Sequence, residues 1–197
     1  MQLQRVLGKI DIYLLDQILK NRYLLSQNIL DAGCGSGRNL HWFIANGYAI
    51  EAIDINNSEI ALLKELYPSL ENKFNVAELD NLPFTNTSFD HIICSAVLHF
   101  AKNETHFKNM LGELVRVLKI GGTIFIRMAT DIGVENKIKP LGKGLFYLPD
   151  NSVRFLLTVP LLEELMLTHN LSFIDPFKSV YVHNQRSMST LILRKEA

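Results

Sequence analysis

The chain has 197 residues, of which 48% are hydrophobic, and its 20 lysines and arginines balance its 20 aspartates and glutamates. A chain of this length buries roughly 70% of its unfolded surface in one domain, so we expect residues 1–197 to form a single domain. Zero net charge provides no overall field toward nucleic acid or an anionic membrane. The composition therefore favours a small-molecule partner over nucleic acid or a membrane.

Charged residues interrupt the first twenty positions before any apolar run reaches the length of a signal peptide or a membrane span. The two cysteines, Cys34 and Cys94, lie far apart and do not suggest a disulfide framework. We therefore expect a cytoplasmic protein. The six histidines have no mutual metal-ligand spacing, and we predict no metal site.

The N-terminal segment, residues 1–27, is predicted to form a helical cap. Apolar residues between Val6 and Leu19 recur at three- and four-residue spacing. This period is typical of an amphipathic helix, here from Val6 to about Lys20.

Short apolar strands then alternate with helices. The predicted strands span residues 28–31, 48–54, 73–76, 89–95 and 123–128, and the predicted helices span residues 39–46, 58–66 and 105–118. We expect Ser58 to cap the second of these helices. Since strand–helix–strand units give parallel strands with right-handed crossovers, the pattern predicts a doubly wound α/β fold.

The alternation of strands and helices ends after residue 128. Residues 129–154 contain five glycines and prolines, and we predict a long loop on the substrate side. A helix follows from about Pro160 to His169. Two extended stretches, residues 172–182 and 189–194, are joined by too few residues for a helical crossover, which predicts an antiparallel hairpin. The expected sheet is thus seven-stranded and mostly parallel, with helices on both faces and a C-terminal antiparallel hairpin.

A glycine loop, Asp31-Ala-Gly-Cys-Gly-Ser-Gly37, follows the first strand. Glycines there let the backbone approach a ligand, and the next helix directs its N–H groups toward it. A dinucleotide fingerprint needs a glycine where this chain has Arg38, and Asp31 would repel a pyrophosphate. Asp54 ends the second strand, where a carboxylate accepts hydrogen bonds from ribose hydroxyls. Asp54 indicates a nucleoside but suits both cofactor classes.

The segment Glu78-Leu-Asp-Asn-Leu-Pro-Phe84, followed by Ser88-Phe-Asp90, resembles the third sequence block of class I S-adenosylmethionine-dependent methyltransferases. Cys94 to Phe100 and Leu114 to Gly122 fit further blocks of that family, although Ile120 stands where the family usually has proline. Within the family, Gly37-Arg-Asn39 is most similar to tellurite-resistance and thiopurine-type small-molecule methyltransferases.

The resemblance implies S-adenosylmethionine as cofactor and S-adenosylhomocysteine as product. It implies that Asp31 lies near the methionine amino group and that Asp54 binds the ribose. It also implies that Glu78 accepts the adenine amino group, with Asp80 as the competing choice. The cofactor-binding residues predicted in this way are Asp31, Ala32, Gly33, Gly35, Gly37, Asp54, Ile55, Glu78, Leu79 and Ser95.

The predicted reaction is in-line methyl transfer to a small-molecule acceptor, accelerated by positioning and desolvation. His99 is the candidate general base, and a packing or capping role is its alternative. Tyr13, Arg127 and Tyr147 are candidate substrate residues. Together with Lys137, Lys139, Lys143 and Arg154, Arg127 would suit an anionic acceptor, with a solvated loop as the alternative.

Two other functions compete with methyl transfer. The first is a protein that binds the cofactor without turnover. The second is a nicotinamide-dependent oxidoreductase, which Arg38 and the segment Glu78 to Phe84 disfavour. A nucleic-acid acceptor is disfavoured because Ser95-Ala-Val-Leu98 stands where amino-directed nucleic-acid methyltransferases have Asn-Pro-Pro-aromatic.

Overall fold

Strands and helices alternate along most of the chain. A computed structural model describes residues 6–197, and residues 1–5 of the predicted N-terminal cap lie outside the described residues. The helices are α1 (Ile12–Leu19), α2 (Leu40–Ala45), α3 (Asn57–Leu66), α4 (Glu104–Val117) and α5 (Val159–Thr168). The strands are β1 (Asn28–Ala32), β2 (Ala49–Asp54), β3 (Phe74–Val76), β4 (Phe89–Ser95), β5 (Leu118–Thr130), β6 (Lys139–Gly142), β7 (Leu145–Tyr147), β8 (Val153–Phe155), β9 (Leu171–Phe173), β10 (Lys178–Val182) and β11 (Arg186–Lys195). Two 3₁₀ turns span Pro68–Lys73 and Leu98–Phe100.

The main sheet has the strand order β3-β2-β1-β4-β5-β11-β10. Strands β1 to β5 pair in parallel, whereas β11 runs antiparallel to both β5 and β10. Short β9 pairs with the far end of β11. The predicted doubly wound, mostly parallel sheet with a C-terminal antiparallel hairpin is confirmed.

Side chains of the central strands alternate between two apolar cores. Ile29, Ile93 and Phe125 pack against helices α1, α2 and α3 on one face. Leu30 and Ile92 belong to the core that contains residues of α4 and α5 on the other face. Because both faces are covered, these strands are continuous apolar runs, and polar ligand-binding groups are left to the strand ends.

Two helix starts differ from the prediction. The predicted helix from Val6 is interrupted: Val6 and Leu7 are helical, Gly8 adopts a left-handed φ of 59°, and α1 begins after Asp11. Helix α3 is capped by Asn56 rather than Ser58, and the Asn56 side chain accepts a hydrogen bond from the Ser58 N–H at 3.0 Å. Both helix starts are therefore set by Asx caps.

Strand β5 begins five residues earlier than predicted, directly after α4. Phe89 pairs with Leu118 and His91 pairs with Thr123, so residues 119–122 stand opposite Asp90 alone. The helix already ends at Val117 with Leu118 extended, so Gly121 and Gly122 lie inside an irregular, bulged start of the strand.

Residues 129–154 do not form the predicted long loop. Strands β6, β7 and β8 make a small antiparallel sheet, and Gly144 and Pro149 lie in its turns. The fully buried Phe155 ring stacks on Phe107 of α4 with ring centroids 4.6 Å apart. This contact fixes the small sheet to the main core.

No helix within residues 6–197 has both the length and the apolar character needed to cross a bilayer.

Replacing Phe155 by alanine should lower the free energy of unfolding by about 3 to 4 kcal/mol, because it leaves a cavity beside Phe107. Urea denaturation measures the change. Leu167→Ala in α5 is the matched control, since Leu167 is 85% exposed and its loss should change stability by less than about 0.5 kcal/mol. Equal effects from the two variants would contradict the packing.

Candidate active site

A cleft of about 920 Å³ lies at the carboxyl ends of the parallel strands. Its wall includes the glycine loop after β1, Asp54 at the end of β2, Ser95 at the end of β4 and Arg127 near the end of β5. The strand order reverses between β1 and β4, and doubly wound sheets bind ligands at this point. The volume is near the upper end of single-ligand pockets, so the cleft has room for a cofactor and a second small molecule.

Gly33 and Gly37 of the loop are each required by a different close contact. Gly33 has a φ of +82°, and a Cβ there would lie 2.4 Å from Val97 Cγ2 in the cleft wall. Gly37 has a φ of +79°, and its Cβ would meet Leu63 Cδ2 of α3 at 2.5 Å. Gly33 and Gly35 line the cleft as predicted, whereas Gly37 is buried behind it and allows α3 to pack closely.

Asp54 is held by the backbone on both sides of its carboxylate. Its Oδ2 accepts a hydrogen bond from the Gly35 N–H at 2.8 Å, and its Oδ1 accepts one from the Asn56 N–H at 2.9 Å. Ile55 is 67% exposed and lines the cleft beside it. The carboxylate is therefore oriented, and each oxygen keeps acceptor capacity for a ligand hydroxyl.

Asp31 is a buried carboxyl with an unpaired atom. The residue is 1% exposed, and its Oδ2 has no hydrogen-bond partner within residues 6–197. Burial raises the pKa of Asp31 to about 7, with the nearby Arg38 lowering it and Asp54 raising it further. Asp31 and Ala32, the first two residues of the glycine loop, do not line the cleft, whereas Gly33 to Ser36 do. An unpaired buried carboxyl fits a cationic ligand group such as an ammonium.

Two acids occupy the wall after β3. Glu78, Leu79 and Asp80 all line the cleft. Asp80 already lies 3.4 Å from the His106 Nε2, whereas the exposed Glu78 carboxylate has no side-chain partner among the described residues. Both acids thus face the cleft, and Glu78 has the freer carboxylate.

Asp11 was missed by the sequence reasoning, although it organises the floor of the cleft. Its buried Oδ2 accepts hydrogen bonds from Arg127 at 3.1 Å, from the Ser95 hydroxyl at 3.2 Å and from Arg38 at 3.4 Å. The Ser95 hydroxyl also accepts a hydrogen bond from Arg38 at 2.8 Å. These residues are up to 116 positions apart in the chain, and helix capping at Asp11 was the only local signal.

The substrate candidates are placed differently from one another. Arg127 lines the cleft, and its guanidinium lies 5.2 Å from the centroid of the Tyr13 ring, so Tyr13 supports Arg127 from outside the lining. Tyr147 is not in the cleft, because its hydroxyl bonds to Asn151 at 2.7 Å on the small sheet. The predicted lysines of residues 129–154 also lie outside the lining, whereas Arg154, named with them, lines the cleft beside the unpredicted Arg186.

His99 lines the cleft from the 3₁₀ turn after β4. It is 8% exposed, and its Nδ1 has no partner within residues 6–197. Burial lowers the pKa of His99 to about 4, and the positive charges of Arg154, Arg186 and Arg127 lower it further. The imidazole is therefore neutral near pH 7, with an unpaired nitrogen available to accept a proton.

The thiols of the two cysteines are buried and unreactive. Cys34 and Cys94 are free and buried, and burial raises the pKa of both thiols far above their usual range. A protonated thiol is a poor nucleophile and a poor metal ligand. Within the described part of the chain, no three or more His, Cys, Asp or Glu side chains are grouped so that they could hold a metal ion.

The doubly wound sheet and the cleft together define a Rossmann-like α/β protein with a nucleoside-cofactor site. Residues 30–126 match the family model described as a methyltransferase domain. The chain therefore contains a methyltransferase domain of the kind that uses S-adenosylmethionine. The predicted family and its cofactor are confirmed at this level.

Individual relatives agree with this assignment. The chain is 30% identical over 115 residues to an uncharacterized methyltransferase, YodH, of Bacillus subtilis, and the match spans 57% of this chain but only 45% of that relative. A Methanosarcina mazei S-adenosylmethionine-dependent methyltransferase superposes with a TM-score of 0.74 at 23% identity, covering 91% of this chain and 97% of that one.

A second solved structure shares the fold. The 1,6-didemethyltoxoflavin-N1-methyltransferase of Burkholderia thailandensis, solved with 1,6-didemethyltoxoflavin and S-adenosylhomocysteine, superposes with a TM-score of 0.71 at 18% identity. The superposition covers 96% of this chain and 80% of that one. At these identities the two solved structures establish the fold.

Asp31 should make stability depend on pH. Since burial raises its pKa to about 7, its contribution to the free energy of unfolding is full below about pH 4 and is lost as the pH rises through about 7. Asp31→Asn should remove this loss, so the variant should gain about 2 kcal/mol relative to the wild type between pH 5 and pH 8.

Urea denaturation of both ligand-free proteins at the two pH values measures this difference. Contributions from other titrating groups, including His99, are common to the two proteins and cancel. A difference that stays constant with pH would contradict the raised pKa.

Proposed function

We propose that the chain transfers the methyl group of S-adenosylmethionine to a small-molecule acceptor and releases S-adenosylhomocysteine. The observation that carries the proposal is that residues 30–126, matched by the methyltransferase-domain model, contain the glycine loop, Asp54 and Glu78 to Asp80. Gly33 to Ser36 of that loop, Asp54 and Glu78 to Asp80 line one cleft that has space for a second ligand. The match to the curated relative spans less than half of its length, so the activity rests on the site rather than on that relative.

The charges of the site suit this cofactor. The unpaired carboxyl of Asp31 would pair with the ammonium of the methionine part, and the oriented carboxylate of Asp54 would accept the ribose hydroxyls. Glu78 would accept the adenine amino group, with Asp80 as the alternative. S-adenosylmethionine carries a cationic sulfonium and a cationic ammonium, and these acids would attract it. The same acids would repel a pyrophosphate.

The bound cofactor supplies an activated methyl group. The chain has to position the acceptor and to accept the proton that the acceptor loses. Phe100, Met110, Leu148 and Met188 give the cleft apolar walls that exclude water from the reacting groups. The neutral His99 would accept the proton of an attacking hydroxyl, amine or thiol at its unpaired Nδ1. The free cysteines support a reducing, cytoplasmic setting.

Asp54→Ala should weaken S-adenosylhomocysteine binding by about 1.5 to 3 kcal/mol, because a charged acceptor of buried hydroxyl donors is lost. Isothermal titration calorimetry measures the affinity. Glu65→Ala is the matched control, since Glu65 is an exposed acid on α3, and it should leave binding unchanged. Wild-type affinity in Asp54→Ala would refute the ribose role.

The same proteins test the activity itself. Purified wild type should form S-adenosylhomocysteine from S-adenosylmethionine with at least one member of a panel of phenols, thiols, amines and inorganic oxyanions. Tight S-adenosylhomocysteine binding with no turnover across the panel would favour a cofactor-binding protein. Tight NADH binding without S-adenosylhomocysteine binding would favour an oxidoreductase.

His99→Asn should lower kcat by about 100-fold with the acceptor found in that screen, because the proton acceptor is lost. Affinity for S-adenosylhomocysteine should be unchanged, which separates a loss of proton transfer from a damaged cofactor site. An unchanged kcat would assign His99 to packing alone.

A further inference from the structure

The charges that line the cleft are separated by the topology of the sheet. The acids Asp54, Glu78 and Asp80 follow β2 and β3, on one half of the main sheet. The cations Arg127 and Arg186 lie on β5 and β11, on the other half. The chain as a whole has zero net charge, so the basic half of the cleft is a local arrangement rather than a result of composition.

Arg154 of β8 contributes a third cation and has no carboxylate within ion-pair distance among the described residues. Its guanidinium lies 4.9 Å from the centroid of the Phe100 ring, and its Nη1 donates to the Val153 carbonyl at 2.6 Å. A guanidinium has five N–H donors, so most of its donors remain available. Stacking on Phe100 fixes the plane in which those donors lie.

The carboxylates nearby do not balance the cations. Asp150 pairs with Arg186 at 2.7 Å. The Asp11 carboxylate is shared by Arg127 and Arg38. Arg127, Arg154 and Arg186 thus face two carboxylates, one of which is also shared with Arg38, and this part of the cleft keeps a net positive charge.

His99 lies among these cations and has a buried ring nitrogen without a partner. More than nine-tenths of the residue is buried, and its Nδ1 has no partner within residues 6–197. Arg154, Arg186 and Arg127 are all close enough to disfavour a positive charge on the ring. The site thus combines an Arg154 guanidinium that no carboxylate occupies with a buried nitrogen that has no partner, and an anionic ligand with a polar nucleophile would fit both.

We propose that the acceptor is a small organic molecule that carries a carboxylate or phosphate group, held by Arg154 and Arg186, with its nucleophilic atom next to His99 Nδ1. This inference rests on the proposed methyl transfer. Planar guanidinium forks bind oxyanions through paired hydrogen bonds, which fixes orientation as well as position. The anion also offsets the unbalanced positive charge.

The orientation assigns each atom of the reaction. The lone pair of the acceptor oxygen, nitrogen or sulfur forms the new bond to the methyl carbon, and the carbon–sulfur bond breaks with its electron pair retained by sulfur. The proton of the nucleophile passes to Nδ1 of His99 and then to water. No further reactant is required.

Matched acids and amides test the proposal by binding alone. Calorimetry on protein saturated with S-adenosylhomocysteine would compare 3-hydroxybenzoate with 3-hydroxybenzamide, 3-mercaptopropionate with its amide, and 3-hydroxyphenyl phosphate with resorcinol. At least one anion should bind 10-fold or more tightly than its neutral counterpart. Arg154→Gln and Arg186→Gln should each remove most of that preference and leave S-adenosylhomocysteine affinity unchanged.

Arg194→Gln is the matched control, because Arg194 is an exposed arginine at the other end of β11 and does not line the cleft. It should keep the preference for the anion. Thermal melting checks that each variant is folded, and either cleft variant suffices if the other is not.

The proposal is overturned if no anion binds more tightly than its neutral counterpart, or if a folded Arg154→Gln or Arg186→Gln protein keeps the full preference. Methylation of neutral acceptors alone would overturn this inference and leave the proposed function standing. Absence of S-adenosylhomocysteine binding would instead remove the proposed function.

Discussion

The carboxylate of Asp11 is the interaction on which the rest of the cleft depends. It caps α1 and accepts hydrogen bonds from the glycine-loop side through Arg38, from β4 through Ser95 and from β5 through Arg127. A buried carboxylate with several cationic donors fixes their positions, whereas its removal leaves charges unpaired in a poorly solvated place. One side chain on the N-terminal helix therefore aligns groups from both halves of the sheet.

The two faces of the sheet explain why chemistry is confined to its edge. Apolar cores cover both faces, so polar side chains are accommodated at the strand ends, where the backbone turns outward. Asp31 of β1 is a buried carboxyl whose Oδ2 has no partner among residues 6–197. Such a carboxyl costs free energy in the ligand-free protein, and a cationic ligand group offsets that cost on binding.

Several site residues were predictable because parallel strands end at one edge of a sheet. Gly33, Asp54 and His99 each follow a strand whose apolar run is visible in the sequence, and all three line the cleft. Tyr147 was misplaced because residues 129–154 were expected to be a loop, whereas short strands direct its side chain elsewhere. Arg186 was missed because hairpin residues carry no local motif for a ligand.

The sequence by itself determined the doubly wound class, the glycine loop, the acid at the end of the second strand and the methyltransferase family, since these depend on local periodicity and short motifs. Only the tertiary structure decided which side chains share the cleft. Arg38, Arg127, Arg154 and Arg186 come from four separate segments, and their grouping around two carboxylates and His99 depends on packing between distant elements. Electrostatic partners are set by distance in space, and the spacing of residues along a chain does not specify that distance.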